Sequence, residues 1–218
     1  MSYDGRVSTG GPAQSRLAGG LQIRKVAVGP LDNNCYLLTD VSTGERLLID
    51  AADDAPRLLA ELGDPTLATV VTTHQHPDHW QALAEVVSVT GANSVAHPLD
   101  AGPLPVTPTS LVEHGGVVAV GDETLDVIHL RGHTPGSIAL LYRGDPQRDH
   151  LFTGDCLFPG GPGNTRQDPD RFRSLMDDLE ERVFGPLADE TWVYPGHGGD
   201  TTVGSERPHL AEWRARGW

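Results

Sequence analysis

The sequence predicts a mixed α/β fold. Residues 67–73 are a β-branched, apolar run that reads as a buried strand, and a helical pattern follows it over residues 80–89. Near the start, short apolar runs divided by turn residues read as an antiparallel meander. Late in the chain, Phe172, Leu175, Met176, Leu179 and Val183 keep helical spacing.

Taken in order, residues 1–20 are rich in small residues and are expected to form a flexible leader. Residues 21–28, 35–39 and 46–49 are expected strands, with Gly29-Pro30 and Ser42-Thr43-Gly44 as turns. Asp54-Ala55-Pro56 opens a helix that Gly63 stops. After the 67–73 strand come a short strand at 93–96 and a Pro-rich irregular stretch at 99–111. Strands are expected at 117–120, 124–129, 137–142 and 151–153, a helix at 168–184 ending at Gly185-Pro186, and a last strand at 191–194. No repeat or linker divides residues 21–218, which are expected to form one domain.

Composition narrows the function classes. The chain carries 26 glycines and 17 prolines without a collagen-like period, which points to many loops. Its formal net charge of −14 repels phosphate backbones and anionic lipids, so neither nucleic acid nor membrane is an expected partner. The N-terminal residues lack the apolar core of a signal peptide, and Cys35 and Cys156 form no zinc-ribbon pattern. A cytoplasmic protein with two reduced thiols is expected.

The stretch Thr73 to His79 concentrates the chemistry. His74, His76, Asp78 and His79 fall within six residues, where a strand gives way to a helix. Side chains at i and i+2 of an extended segment point the same way, so His74 and His76 can grip one ion. Asp78 and His79 follow as the chain bends. Gly132-His133-Thr134-Pro135-Gly136, Gly154-Asp155 and Gly196-His197-Gly198 each follow an expected strand, and glycine beside each donor lets the backbone turn sharply. Burying that many imidazoles and carboxylates without a metal would be costly. His97, His114, His150 and His209 are expected to be solvated, and His129, inside a strand, structural. Cys156 should point away from Asp155 as a packed thiol. Asn33, Asn34 and Tyr36 are read as turn chemistry.

These motifs, in this order, resemble the metallo-β-lactamase superfamily, and within it the glyoxalase II-like (hydroxyacylglutathione hydrolase-like) branch. The resemblance runs from about Leu21 to His209. It implies an αββα sandwich with the site at one edge between two mixed sheets. It also implies that His74, His76 and His133 hold one divalent ion, that Asp78, His79 and His197 hold another, and that Asp155 bridges them. Asp50 would support the ligand loop without binding an ion. Imidazole and carboxylate donors suit zinc first, with iron or manganese as alternatives. A water shared by two such ions loses a proton near neutrality and becomes the nucleophile, with Asp78 placed to orient it.

A thiolate leaving group needs little protonation, which favours thioester hydrolysis and a small thioester or related acyl compound as substrate. The sequence departs from glyoxalase II after the third motif, where that family's lysine and tyrosine for the thiol are missing. Only 21 residues follow His197, too few for that family's glutathione-clamping helical domain. Arg166 is read as a solvated arginine, with an anionic substrate as its alternative partner. The competing reading is a persulfide dioxygenase-like oxidoreductase with a single iron on two histidines and one aspartate, such as His79, His133 and Asp155 or a similar subset. A β-lactamase is disfavoured by the lack of an export signal. A non-catalytic metal module is disfavoured by the intact donor set.

Overall fold

The computed structural model describes residues 3–63 and 66–217. The chain first builds a seven-stranded sheet: β1 (Gln14–Ala18), β2 (Leu21–Val28), β3 (Asn33–Asp40), β4 (Arg46–Ile49), β5 (Thr69–Val71), β6 (Asn93–Ala96) and β7 (Ser110–Leu111). Strands β1 to β4 pair antiparallel and β4 to β7 parallel. A second sheet follows: β8 (Val117–Val120), β9 (Glu123–His129), β10 (Ile138–Tyr142) and β11 (His150–Gly154). The short ribbon β12 (Leu157–Phe158) and β13 (Gly161–Pro162) interrupts it, and β14 (Trp192–Pro195) and β15 (Thr201–Thr202) complete it in the order β15-β14-β11-β10-β9-β8. Within it only β11 and β14 run parallel.

Alternation along the strands makes the layers. Leu47, Ile49 and Val71 face Ile138, Leu140, Phe152 and Tyr194 across the gap between the sheets. Leu48 and Val70 turn the other way, against α1 (Ala55–Leu62) and α2 (Leu83–Thr90). Ala139, Leu141, Leu151 and Val193 turn outward against α3 (Pro169–Leu179), α4 (Val203–Glu206) and α5 (Leu210–Arg216). The central strands β3, β4, β10 and β11 are therefore covered on both faces and read as continuous apolar runs, while the edge strands β1 and β8 alternate. The result is the expected αββα sandwich. Each fully buried leucine in it contributes on the order of 1.5–3 kcal/mol.

Helix ends follow their sequence signals. Asp54 caps α1 through Arg57 N at 3.2 Å, and the Gly63 N–H closes it on Ala60 O. Asp168 caps α3 through Asp170 N at 2.9 Å and Arg171 N at 3.1 Å. The last turn, Glu180–Phe184, widens into a π-helical turn closed by Gly185 N to Glu180 O. The helix expected from residue 80 starts later, at Leu83. Gln81 and Ala82 donate instead to the carbonyls of Ala52 and Ala51, at 2.9 and 3.0 Å.

The flexible leader is corrected over its described residues. Gln14–Ala18 pair with β2, and Tyr3 Oη donates to Asp200 at 2.7 Å. Buried Lys25 ties the same segment down, donating to Gly5 O (2.8 Å), Gly198 O (2.8 Å) and Asp200 (2.6 Å). A buried ammonium requires such partners, and the N-terminal carbonyls supply one. Met1 and Ser2 lie outside the described residues. Beyond β15 the chain forms α4 and α5, and Trp213 of the tail, whose tryptophans are expected from the sequence to dock on the domain or on a second subunit, is buried against Phe184. Trp218 lies outside the described residues.

Two histidines expected to be solvated are buried. His97 stacks on His129 with ring centroids 4.0 Å apart. His150 sits between Tyr194 Oη at 2.8 Å and Asp145 at 2.9 Å. Cys156 is a packed, buried thiol, as expected.

Candidate metal centre

The site forms along one edge of the sandwich, where several strands end together. The loop after β5 carries His74, His76, Asp78 and His79. The β9–β10 loop carries His133. Asp155 follows β11, and His197 follows β14. All seven sequence-predicted donors converge. Their donor atoms fall into mutually close groups: His74, His76 and His133; Asp78, His79 and His197; and His74, His79 and Asp155.

The spacing has the pattern of donors that share a centre. His74 Nε2 lies 3.1 Å from His76 Nδ1 and 3.3 Å from His133 Nε2. Asp78 Oδ2 lies 3.4 Å from His197 Nε2 and 3.6 Å from His79 Nε2. Asp155 Oδ1 lies 3.4 Å from His79 Nε2, while Oδ2 lies 3.7 Å from His133 and 3.6 Å from His197. Tetrahedral ligands at about 2.0–2.1 Å from an ion are about 3.3–3.4 Å from each other. His79 Nε2 and Asp155 Oδ1 are buried and have no hydrogen-bond partner. Orphaned donors of this kind are costly unless something occupies the space between them. The residues present therefore fit divalent ions.

Four of the five histidines are aimed by the other ring nitrogen. His79 Nδ1 meets Asp50 Oδ2 at 2.8 Å, His133 Nδ1 meets Asn164 O at 2.9 Å, and His197 Nδ1 meets Leu31 O at 3.0 Å. His74 Nδ1 lies 3.0 Å from Thr73 Oγ1, which itself donates to Asp50 at 2.8 Å. Acceptors at these positions hold the proton away from the centre and leave the inward nitrogen free to bind a metal. Asp50 thus sits where the resemblance placed it, under the ligand loop.

The electrostatics agree. Burial pushes His74 well below the usual histidine range, and its neighbour His79 adds to this. Burial likewise pulls His133 down to about 4. Both are neutral imidazoles at neutral pH, the form that binds metal. For His79, burial pulls down, but Asp155 and Asp50 outweigh it and hold the ring above its ordinary value. The hydrogen bond from His197 holds Asp78 below the usual carboxylate range. Burial raises Asp155, yet the charge on His79 brings it below its ordinary value. The carboxylates thus favour the protonated forms of His79 and His197, against which a cation would compete.

Close approach explains the glycines. A Cβ on Gly196 would collide with Asp155 Oδ1 and lie 2.7 Å from His79 Cε1. Gly154, at φ 48°, would bring a Cβ within 2.7 Å of Thr73 Oγ1.

Several residues of the site were not read from the sequence. Asn33, taken as turn chemistry, begins β3, and its Nδ2 donates to Asp78 Oδ2 at 2.9 Å. Asn34 and Tyr36 hold the His197 loop through Pro195 O, at 2.9 and 2.6 Å. Buried Asp100 clamps both ligand loops. It accepts from Gln75 N at 3.0 Å, from Gly136 N at 2.7 Å and from the Thr134 hydroxyl. The paired asparagines were a usable signal. Asp100, inside a Pro-rich stretch, offered none. The iron subset His79, His133 and Asp155 is not one of the close groups among the described residues. His74 takes the place of His133.

Comparison with known proteins agrees with this architecture. The sequence pattern of the metallo-beta-lactamase superfamily matches residues 28–197. An uncharacterised protein of Aquifex aeolicus is 31% identical over 202 residues, spanning 85% of this chain and 93% of its own. A Haemophilus influenzae protein named hydroxyacylglutathione hydrolase GloC is 27% identical, spanning 86% of this chain and 95% of its own. Among solved structures, ETHE1 from Myxococcus xanthus is 32% identical with a TM-score of 0.76, over 88% of this chain and 84% of that one. A protein solved in a di-iron-bound form is 33% identical with a TM-score of 0.70, over 84% of this chain and 96% of that one. With the donor set assembled on this fold, the chain belongs to the metallo-beta-lactamase superfamily.

Proposed function

We propose that the protein is a metal-dependent hydrolase of small thioesters, similar in chemistry to glyoxalase II, with two divalent ions, zinc in the first place. The observation that carries this reading is Asp155, which lies between the two donor sets: Oδ2 is 3.7 Å from His133 of one, and the carboxylate meets the other at His79 (Oδ1, 3.4 Å) and His197 (Oδ2, 3.6 Å). His74, His76 and His133 would hold one ion, and Asp78, His79 and His197 the other. When bound, such ions supply an activated water and an electrophile for an acyl carbonyl. Asp78 would orient the attacking water: Asn33 fixes its Oδ2, and the carboxylate stays anionic beside His197. A thiolate leaves with little need of a general acid, which suits a site whose polar groups are the metal donors themselves. The Haemophilus relative, named hydroxyacylglutathione hydrolase GloC, has nearly the span of this chain. Small-molecule substrates and a cytoplasmic setting belong to the same proposal; both cysteines are free and buried, and no helix among the described residues is long and apolar enough to cross a membrane.

A second reading is a mononuclear-iron, persulfide dioxygenase-like oxidoreductase. The group His74, His79 and Asp155 favours it, being two histidines and one carboxylate.

Elemental mass spectrometry of the protein purified without added metal separates the two. About two zinc-like ions per chain, with turnover of a thioester panel, supports the hydrolase. One iron per chain, with oxygen uptake on a persulfide, supports the oxidoreductase. His76→Ala should lose both metal and hydrolysis while keeping the fold. Full activity in that variant with metal still bound would reject the site.

A further inference from the structure

Beside the centre, on the His76 side, lies an open pocket of about 610 Å³, within the range of small-ligand sites. Arg131, Arg166 and Arg171 stand on its wall, with Leu99 and Pro135 as apolar lining. In a chain of net charge −14, a pocket bordered by guanidinium groups runs against its surroundings.

The arginines are not equivalent. Arg131 is committed to Asp178, through Nε at 2.8 Å and Nη2 at 2.6 Å. Arg171 donates to the carbonyls of Gly132 and His133 and so braces the His133 loop. Asp170, also on the wall, is paired with Arg173. Arg166 is exposed, and its Nη2 approaches His76 Nε2 at 3.4 Å. That contact is incompatible with a loaded centre. His76 Nδ1 faces the His74 and His133 nitrogens. A neutral imidazole carries one proton. If Nδ1 binds an ion, the proton resides on Nε2, which can no longer accept from a guanidinium. Loading the centre therefore frees Arg166 from this acceptor.

The backbone points the same way. Arg166 and Gln167 both have left-handed φ, 58° and 59°, a region that side-chain-bearing residues seldom adopt. Asn164 holds this conformation. Its side chain accepts from Arg166 N at 2.7 Å, and its carbonyl aims His133. The loop that presents Arg166 is thus tied to a donor of the metal centre.

We propose that Arg166 binds a carboxylate of the substrate and that this pocket holds the part of the thioester bearing it. The proposal rests on the thioester reading and names its substrate class: small thioesters with a carboxylate on the acyl or the thiol side. A guanidinium suits this task because its fork pairs with both carboxylate oxygens.

The test uses two matched pairs of thioesters on the zinc-loaded protein. Succinyl and succinamoyl esters of N-acetylcysteamine vary the acyl side. Acetyl esters of 3-mercaptopropionate and 3-mercaptopropionamide vary the thiol side. In one pair, kcat/KM should favour the acid over the amide by roughly 10- to 100-fold, mostly through KM. That ratio should collapse toward one in Arg166→Gln and survive in part in Arg166→Lys. The pair that shows it identifies the side. Equal use of acid and amide in both pairs would overturn the proposal, as would a ratio unchanged in Arg166→Gln. An equal loss on acid and amide in that variant would also overturn it, because the arginine would then act through His76. Calorimetric titration with succinate, read against succinamide, needs no turnover. Succinate affinity at least tenfold weaker in Arg166→Gln supports the pocket, and equal affinity rejects it. If no thioester is hydrolysed, the hydrolase reading fails while this titration still decides the pocket.

Discussion

Asp50 Oδ2 lies 2.8 Å from His79 Nδ1, and the same oxygen accepts from the Thr73 hydroxyl beside His74. One buried carboxylate thus orients His79 directly and His74 through Thr73. Asp50→Asn keeps the shape but presents an amide that can donate where only acceptors are wanted. Metal affinity, measured by competition with a chelator, should fall about 10- to 100-fold, the usual cost of losing such a partner. Unchanged affinity would mean that Asp50 serves the fold alone.

Metal binding should release protons. His79, beside Asp155 and Asp50, and His197, beside Asp78, are held above the ordinary histidine value, so a cation must compete with protons at both rings. Affinity should therefore rise with pH and level off once both rings are neutral. Calorimetric titration with zinc in two buffers of different ionisation enthalpy would count the released protons. A count near zero would contradict the protonation assigned here.

At the opposite end of β3, Asp40 ties the sheets together. It accepts from Asp122 N at 2.6 Å, from Ser42 N at 2.8 Å and from Thr43 Oγ1 at 3.0 Å. These bonds, that from Asp122 first, lower its pKa to about 2. A carboxyl depressed on folding stabilises the protein above its unfolded value of about 3.9 and loses that contribution as pH falls toward 2. Acid unfolding of Asp40→Asn should lack this component, so the gap from wild type should narrow between pH 4 and pH 2. A gap independent of pH would show that geometry, not charge, is what the residue supplies.

The docked tail should matter to stability. Trp213 is 1% exposed and packs edge-on against Phe184 at 6.1 Å between ring centroids. Trp213→Ala should cost about 3–5 kcal/mol in denaturant unfolding, the range for large aromatic truncations. A loss under about 1 kcal/mol would mean that α5 is held by its surface ion pairs, such as Arg214 with Glu180, since exposed pairs contribute at that level.

Much of this protein was determined by the sequence alone. Local chemistry is local: strand runs, the Asp54 and Asp168 caps, the Gly63 stop and the donor residues after each strand are all set by neighbours in the chain. The donor motifs were legible because each pairs a strand with a glycine or a sharp bend, and that pattern needs no long-range contact. The tertiary structure decided what aims those donors. Asp50 reaches His79 across 29 residues, Asn164 reaches His133 across 31, and Leu31 reaches His197 across 166. It also decided that Asn33, Asp100 and the N-terminal segment belong to the site or its supports, and that His97 and His150 are buried. A hydrogen bond carries no trace in sequence when its partners meet only after folding. Burial of a polar side chain is a property of the packed layers, not of the residue.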